Sequence, residues 1–210
     1  MHIRSDTALV NYGPEPRELV EQVIARATVV VRGNHDHAVA HDDDSRWTPR
    51  YRAVAEATRG YTSSVLSAAQ KQYLRGRPLQ AQVERGGVSF HLTHASPSNP
   101  PHGSCLQNSE EWVGEVEAVS ADVLLVGHTH APFLRRIGNW VLLNPGSLRQ
   151  PRTGSPVASY AVWQDGKFNL RFCSPPPSPL SLLPRFGELS GRKGRVAAAT
   201  SGVRDTGALA

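Results

Sequence analysis

Short runs of apolar residues recur along the chain, and three of them end in polar residues that include histidine. The three junctions are residues 29–31 before Gly33-Asn34-His35-Asp36, residues 88–93 before His94, and residues 123–126 before Gly127-His128-Thr129-His130. Each run is typical of a buried strand, and α/β proteins bind their ligands at the carboxyl ends of such strands. The pattern therefore predicts that these polar groups converge on one point, where imidazole and amide oxygen indicate a metal site.

Other segments have the spacing and the terminal residues of helices. One predicted helix begins at Pro14, and three others span residues 46–59, 67–74 and 109–119. In the first of them, Leu19, Val23 and Ile24 share one face. The acidic stretch at residues 42–45 is expected to cap the second helix, and Ser67 the third.

The strands that the pattern predicts span residues 27–32, 88–93, 121–126, 133–137, 140–143, 159–164 and 167–172. Gly138-Asn139 and Asp165-Gly166 are turn sequences, so the last four strands should form two hairpins. Residues 1–8 fit neither a strand nor a helix. The order of helices and strands, ending in two hairpins, predicts an α/β fold of mixed sheets covered by helices.

Composition divides the chain into a domain over residues 1–173 and a tail over residues 174–210. The tail is rich in Pro at first and then in Gly, Ala and Arg, with too few large apolar groups to offset the entropy of ordering, so we expect it to be disordered. It holds five Lys or Arg against two acids, and so accounts for three of the five net positive charges of the chain. The body is therefore nearly neutral, and nucleic-acid binding is not expected.

The chain shows no apolar run long enough for a membrane span and no signal-peptide pattern, so a cytoplasmic protein without a membrane partner is expected. Cys105 and Cys173 have no motif spacing. A disulfide between them is one alternative, but reduced thiols suit the expected compartment better.

Four ordered motifs resemble those of calcineurin-like metallophosphoesterases. They are Gly33-Asn34-His35-Asp36, the single His94, Gly127-His128-Thr129-His130 and Asn144-Pro145-Gly146-Ser147. Tyr12-Gly13-Pro14 and Gln150-Pro151-Arg152 are similar to the bacterial single-domain branch of that family. The resemblance covers roughly residues 9–172 and implies a four-layer α/β/β/α sandwich with two facing mixed sheets.

The resemblance also implies roles for particular residues in the hydrolysis of phosphomono- or diesters by a metal-bound hydroxide. Asn34, His94 and His128 would bind one divalent metal, and His130 would bind the other. His35 would stabilise the transition state or protonate the leaving oxygen. Asp36 would orient the imidazole of His35. Mn²⁺, Zn²⁺, Fe²⁺ and Ni²⁺ are the metals implied, and the partner is a phosphorylated small molecule or a phosphodiester.

The remaining polar residues of interest have structural interpretations. Asn144-Pro145-Gly146-Ser147 is interpreted as scaffold around the histidine loops rather than as a ligand. His37, His91 and His102 are interpreted as surface residues or hydrogen-bonded core residues, outside the site.

The first two motifs of the family are not found in this sequence. The family's D-x-H and G-D motifs supply the first metal's ligands and the bridging Asp, and alignment on Tyr12-Gly13-Pro14 places Ala8 at the bridging position. In an alternative register, which starts the family's first motif near Asp6, Ala8 replaces its His. We therefore expect an N-terminally truncated member that lacks the first strand–helix unit and binds one metal rather than two.

Three explanations of the missing N-terminal motifs stay open: a start codon assigned too late, a degraded gene, or a partner that takes the place of the missing strand–helix unit. The sequence also leaves open an alternative function. In it, the chain is a catalytically inactive relic of the family that acts as a metal- or phosphate-binding scaffold.

Overall fold

The computed structural model describes residues 2–3, 9–47, 49, 51–103, 105–164 and 166–173. The helices within these residues are α1 Pro16–Arg26, α2 Asn34–His41, α3 Arg52–Val65, α4 Ala68–Arg75 and α5 Glu111–Glu117. The strands are β1 His2–Ile3, β2 Ala27–Val29, β3 Gln80–Arg85, β4 Val88–Thr93, β5 Val123–Leu125, β6 Phe133–Ile137, β7 Trp140–Asn144, β8 Ala158–Gln164 and β9 Lys167–Cys173.

A five-stranded mixed sheet forms the centre of the fold, in the order β3-β4-β5-β7-β6. Its middle strands β4, β5 and β7 are parallel, and β3 and β6 join the two edges in antiparallel pairs. All three residues of β5 are buried, because a parallel strand in the middle of such a sheet is covered on both faces. The carboxyl ends of β4 and β5 therefore lie side by side at one edge of the sheet.

Two apolar clusters cover the two faces of this sheet. On one face, Trp112 and Val116 of α5 pack against Leu124 and Leu142. On the other, the cluster includes Val29 and Val31 around β2 and the inward residues of the β8–β9 hairpin: Ala161, Trp163, Phe168 and Leu170. Helices α1, α2 and α4 pack together in a third cluster around Val20, Val39 and Leu74. The layers are thus helix, short strands, five-stranded sheet and helix, which is the predicted α/β/β/α sandwich.

Local sequence signals located several elements correctly. Both predicted hairpins are present, as β6–β7 and β8–β9, although Asp165 in the second turn lies outside the described residues. Ser67 caps α4, because its hydroxyl accepts the Gln70 N–H at 3.2 Å while the Gln70 side chain accepts the Ser67 N–H at 2.9 Å. The helix expected near residue 109 is α5.

The prediction for residues 42–59 was wrong. Helix α3 begins at Arg52 rather than at residue 46, and its N-cap Tyr51 makes no side-chain capping bond. The acidic residues have other partners: Asp42 ends α2 in the left-handed conformation, and Asp44 accepts hydrogen bonds from Trp47 Nε1 at 2.7 Å and from Arg59. An ion pair with a distant arginine thus replaced the expected local cap.

Four further differences concern α1, the first residues and the strands. In α1, Ile24 is 47% exposed and Val20 fills the core in its place. Residues 1–8, for which the pattern predicted no element, contain β1, which pairs in parallel with β2. Strand β2 ends at Val29, three residues before the predicted end. Strand β3 was not predicted at all; it pairs with β4 across the turn at Gly86-Gly87.

The described residues belong to one compact unit, Met1–Pro175. Residues 174–210 are outside them, and the expected disorder of that tail stays a prediction. Within the described part of the chain, no helix is long and apolar enough to cross a membrane.

Candidate metal centre

The loops after β4 and β5 are joined by backbone and side-chain hydrogen bonds. The Gly127 N–H donates to the His94 carbonyl at 2.8 Å. Asn144 at the end of β7 donates from Nδ2 to the Gly127 carbonyl at 2.7 Å and to Thr129 Oγ1 at 3.1 Å. Its Oδ1 accepts the Gly146 N–H at 2.9 Å. The interpretation of Asn144-Pro145-Gly146-Ser147 as scaffold is confirmed.

Gly146 itself is required by its surroundings. Its φ is +86°, and a Cβ at this position would stand 1.9 Å from Ser159 Oγ on β8. Glycine is therefore the residue that lets the loop pass close to the hairpin.

The second histidine loop has an unusual backbone. His128 and His130 have φ of 65° and 60°, in the left-handed region that residues other than Gly, Asn and Asp seldom adopt. The Thr129 N–H donates to the Gly127 carbonyl at 2.7 Å, which closes a tight turn between them. Such conformations each cost about 1–3 kcal/mol and persist where the surrounding structure enforces them, often at functional sites.

Three candidate ligand atoms meet at the ends of β4 and β5. His94 Nε2 lies 3.0 Å from Asn34 Oδ1 and 3.2 Å from His128 Nδ1. Ligand atoms bound about 2.1 Å from a divalent cation are about 3.0–3.4 Å apart when they occupy neighbouring positions around it. The two distances from His94 Nε2 therefore suit neighbouring ligands of one metal ion, and Asn34 lies beside the two strand ends, as expected.

The trio of candidate ligands, Asn34, His94 and His128, contains no carboxylate or thiolate. Among the described residues, no group of three or more His, Cys, Asp or Glu side chains is placed to hold a metal. The trio contains two imidazoles and reaches three ligands through the amide oxygen of Asn34. An open tetrahedral site with three protein ligands remains sufficient for a catalytic ion.

His130, the predicted ligand of the other metal, is buried nearby. Its Nδ1 donates to the Gln150 carbonyl at 2.7 Å, which leaves the Nε2 lone pair free for a ligand. Asp6 and Ala8, on which the expected loss of the bridging carboxylate rests, lie outside the described residues. The prediction of one metal rather than two therefore stays a prediction.

His35 lies in an aromatic environment that the sequence did not indicate. It stacks on Trp47 with ring centroids 4.9 Å apart, and Tyr12 packs edge-on at 4.6 Å. Asn11 Nδ2 donates to His35 Nδ1 at 2.9 Å. Because an amide nitrogen can only donate, Nδ1 is the unprotonated nitrogen, and the proton of the neutral ring is on Nε2.

Asp36 makes different contacts from those expected. Its carboxylate accepts hydrogen bonds from the backbone N–H groups of Leu9 at 2.8 Å, Val10 at 3.1 Å and Gly33 at 3.0 Å. The described side-chain partner of His35 Nδ1 is Asn11, not Asp36. The carboxylate supports His35 indirectly, because it ties residues 9–10 to the start of α2 and thereby brings Asn11 against the ring.

Three of the site histidines, His35, His128 and His130, are neutral at pH 7. Burial, together with the nearby His130, His128, Arg152 and His102, lowers the pKa of His35 to about 3. Burial and Arg152 likewise lower the pKa of His128 and that of His130 to about 4. Neutral imidazole is the form that binds metals.

These pKa shifts predict a pH dependence of stability. The three histidines protonate near pH 6.5 in the unfolded chain but only near pH 3–4 in the folded one, so unfolding is favoured as the pH falls below 6.5. The free energy of unfolding of the chelator-treated protein should be nearly constant between pH 8 and 7. It should then fall by up to about 1.4 kcal/mol per pH unit for each histidine between pH 6 and 5. Denaturant titrations at these pH values measure the slope, and an equal stability at pH 7 and 5 would contradict it.

Two cationic or titratable residues near the site were not predicted to belong to it. Arg152 lowers the pKa of His35, His128 and His130, and His102 lowers that of His35 and His128. The interpretation of His102 as a residue outside the site stays a prediction. His91 has the expected structural role, since its Nε2 is 2.6 Å from Gln80 Oε1 on the neighbouring strand. His37 lies against His41 on α2, with ring centroids 4.4 Å apart.

Comparison with known proteins places this site in a family. Residues 8–165 match the model of the calcineurin-like phosphoesterase superfamily domain. An uncharacterized protein of Methanocaldococcus jannaschii is 29% identical over 177 residues, which cover 77% of this chain and 70% of that protein. A probable metallophosphoesterase of Mycoplasma genitalium is 30% identical over 82 residues, which cover 37% of this chain and less than half, 47%, of the relative.

Solved structures with the same fold include a metallophosphoesterase from Sphaerobacter thermophilus. It is 27% identical with a TM-score of 0.62, over 77% of this chain and 73% of that one. A hypothetical protein from Pyrococcus horikoshii has a TM-score of 0.65 and 23% identity, over 79% of this chain and 72% of that one, and shows the fold alone. With the family model matched over most of the domain, the chain belongs to the calcineurin-like phosphoesterase superfamily.

Proposed function

We propose that this protein is a metal-dependent phosphoesterase that hydrolyses phosphomono- or diesters. The observation that carries the proposal is that His94 Nε2 lies 3.0 Å from Asn34 Oδ1 and 3.2 Å from His128 Nδ1. A divalent cation held there would supply the positive charge that activates water and neutralises the phosphoryl oxygens. His130 could bind a second ion through Nε2, because its Nδ1 is bonded to the Gln150 carbonyl.

Helix α2 contributes to the binding of an anionic substrate. Asn34 is its first residue, so the partial positive charge of the helix N-terminus and its free N–H groups lie beside the proposed ligands. Helix N-termini bind phosphate oxygens by this combination. The same eight-residue helix thus supplies a metal ligand, the neighbouring His35 and a favourable field.

His35 acts as a hydrogen-bond donor in this proposal. Hydrolysis adds water to phosphorus and breaks the bond to the leaving oxygen, and negative charge builds up on the phosphoryl and leaving oxygens. A neutral ring with its proton on Nε2 donates a hydrogen bond to that charge. With a pKa of about 3, His35 is not protonated at pH 7, so the role of transition-state stabiliser is favoured over that of proton donor.

The proposal is tested by an assay of the 210-residue chain with chromogenic esters and Mn²⁺. We expect turnover of p-nitrophenyl phosphate, bis-p-nitrophenyl phosphate or both, and its loss when the metal is removed with a chelator. Binding of Mn²⁺ without any turnover would contradict the proposal and favour a metal- or phosphate-binding scaffold.

Asn11 offers a second test, because it sets the tautomer of His35. In Asn11→Asp, the carboxylate would accept a hydrogen bond from Nδ1–H and so move the ring proton away from Nε2. We expect kcat to fall about 10- to 100-fold, as for other residues that orient a functional histidine. The ¹⁵N chemical shifts of the His35 ring should show that the proton has moved from Nε2 to Nδ1.

Asn11→Gly is the matched control for backbone strain. Asn11 has a φ of 67°, which glycine adopts without cost, so this variant removes the contact and keeps the loop. It should lose less activity than Asn11→Asp and leave the ring in a mixture of tautomers. Equal ¹⁵N shifts in all three proteins would show that Asn11 does not set the tautomer.

A further inference from the structure

Arg152 lies next to the second histidine loop, and its guanidinium has no carboxylate partner in the part of the chain that the structure describes. Its backbone N–H donates to the His130 carbonyl at 3.2 Å, which fixes the residue beside the second histidine loop. The guanidinium carbon is 5.1 Å from the ring centroid of Tyr51. Its polar side-chain contact is a long one of 3.5 Å to Gln150 Oε1.

Two other described arginines, in contrast, form ion pairs. Arg149 pairs with Glu15 at 3.5 Å, and Arg59 pairs with Asp42 and Asp44. No ion pair among the described residues includes Arg152. Its positive charge therefore remains available to a bound anion, while the Tyr51 ring supports the guanidinium from one side.

The charge of Arg152 reaches the reacting part of the site. It lowers the pKa of His35, His128 and His130, and it opposes the rise that burial causes in the pKa of Tyr12. Among them, His128 supplies a candidate ligand atom and His35 is the proposed hydrogen-bond donor. A phosphoryl group held there would lie within the field of the guanidinium.

The described site contains little negative charge to compete with a substrate. His35, His128 and His130 are neutral, Asn34 is an amide, and the Asp36 carboxylate accepts three backbone N–H groups. A loaded site would thus combine a cation, a helix N-terminus and a guanidinium. Such a site stabilises a dianion more than a monoanion.

We propose that Arg152 binds the non-bridging oxygens of the substrate phosphate and makes this protein a phosphomonoesterase in preference to a phosphodiesterase. This inference rests on the function proposed above and narrows its substrate class. A guanidinium forms two parallel hydrogen bonds with a phosphate, and a monoester has three terminal oxygens to offer. A diester has two terminal oxygens and carries a second substituent, which would compete with the guanidinium for the space beside Tyr51.

The first experiment measures binding of inorganic phosphate by calorimetry, with Mn²⁺ present and again without it. Arg152→Gln should bind phosphate about 10- to 100-fold more weakly than the wild type, because a charge-assisted bidentate contact is lost. Arg152→Lys should recover part of that loss. Arg171→Gln removes the same charge from an exposed position on β9 and should bind phosphate like the wild type.

The second experiment compares two substrates, p-nitrophenyl phosphate as monoester and bis-p-nitrophenyl phosphate as diester. In Arg152→Gln, kcat/KM for the monoester should fall about 10- to 100-fold and that for the diester about threefold or less. Equal losses for the two esters, or unchanged phosphate affinity, would overturn the proposal. Absence of phosphate binding by the wild type would overturn it as well. If neither ester is hydrolysed, the proposed function fails, while the phosphate titrations still decide the role of Arg152.

Discussion

Replacement of His128 by alanine is expected to abolish tight binding of Mn²⁺ or Zn²⁺. His128 Nδ1 is one of three ligand atoms in the trio, and its loss leaves one imidazole and one amide oxygen, too few for a stable site. We expect the dissociation constant to rise on the order of 100-fold or more. Calorimetric titration combined with metal analysis measures the affinity and the number of ions, and the wild type should bind about one ion tightly.

His130→Ala is the matched control for this experiment. It removes an imidazole from the same strained loop, but not one of the three converging atoms, so the affinity of the tight site should change little. Two tightly bound equivalents in the wild type, or an equal loss of affinity in both variants, would show that His130 shares the site. The expected affinity should persist to about pH 5, because burial holds the pKa of His128 near 4.

The positions of the candidate metal ligands could be predicted because strand ends are a local signal. The apolar run before His94 and the one before Gly127 mark two strands that turn out to be parallel neighbours. Their carboxyl ends must then meet, whatever the details of the loops. Ser67 with Gln70 is similarly local, since the whole capping interaction lies within four residues.

Helix α2 could not be predicted from its own residues. The segment Asn34–His41 contains three histidines and an aspartate, and it shows no clear helical spacing of apolar residues. Its stability comes from tertiary burial of Val39 and Ala40, and from the bond between Asp36 and the Gly33 N–H at its start. Packing outweighs propensity in so short a helix.

The positions of Asn11 and Arg152 beside the site could not be predicted for the same reason, although Arg152 belongs to the Gln150-Pro151-Arg152 motif. Asn11 reaches His35 across 24 positions, and it does so because Asp36 binds the two N–H groups just before it. Arg152 enters the site through a backbone bond to His130. Both contacts depend on how loops fold over one another, which the pattern of apolar and polar residues does not encode.

Replacement of His35 by alanine is expected to remove most of the hydrolytic activity while leaving the metal in place. The ring lies on Trp47, is oriented by Asn11 and carries its proton on Nε2, so its contribution is one prepositioned donor to the charge that develops on oxygen. Loss of such a donor typically lowers kcat about 100- to 1000-fold. Steady-state kinetics with the better of the two p-nitrophenyl esters and saturating Mn²⁺ measures the effect.

Metal binding separates this chemical role from a structural one. Asn34, His94 and His128 do not depend on the His35 ring for their mutual distances, so His35→Ala should titrate with Mn²⁺ as the wild type does. His35→Gln keeps a hydrogen-bond donor and much of the ring's volume, and it should recover part of the lost kcat. Activity of His35→Ala within about threefold of the wild type would show that hydrolysis does not use this donor, since a positioned donor is worth far more than that.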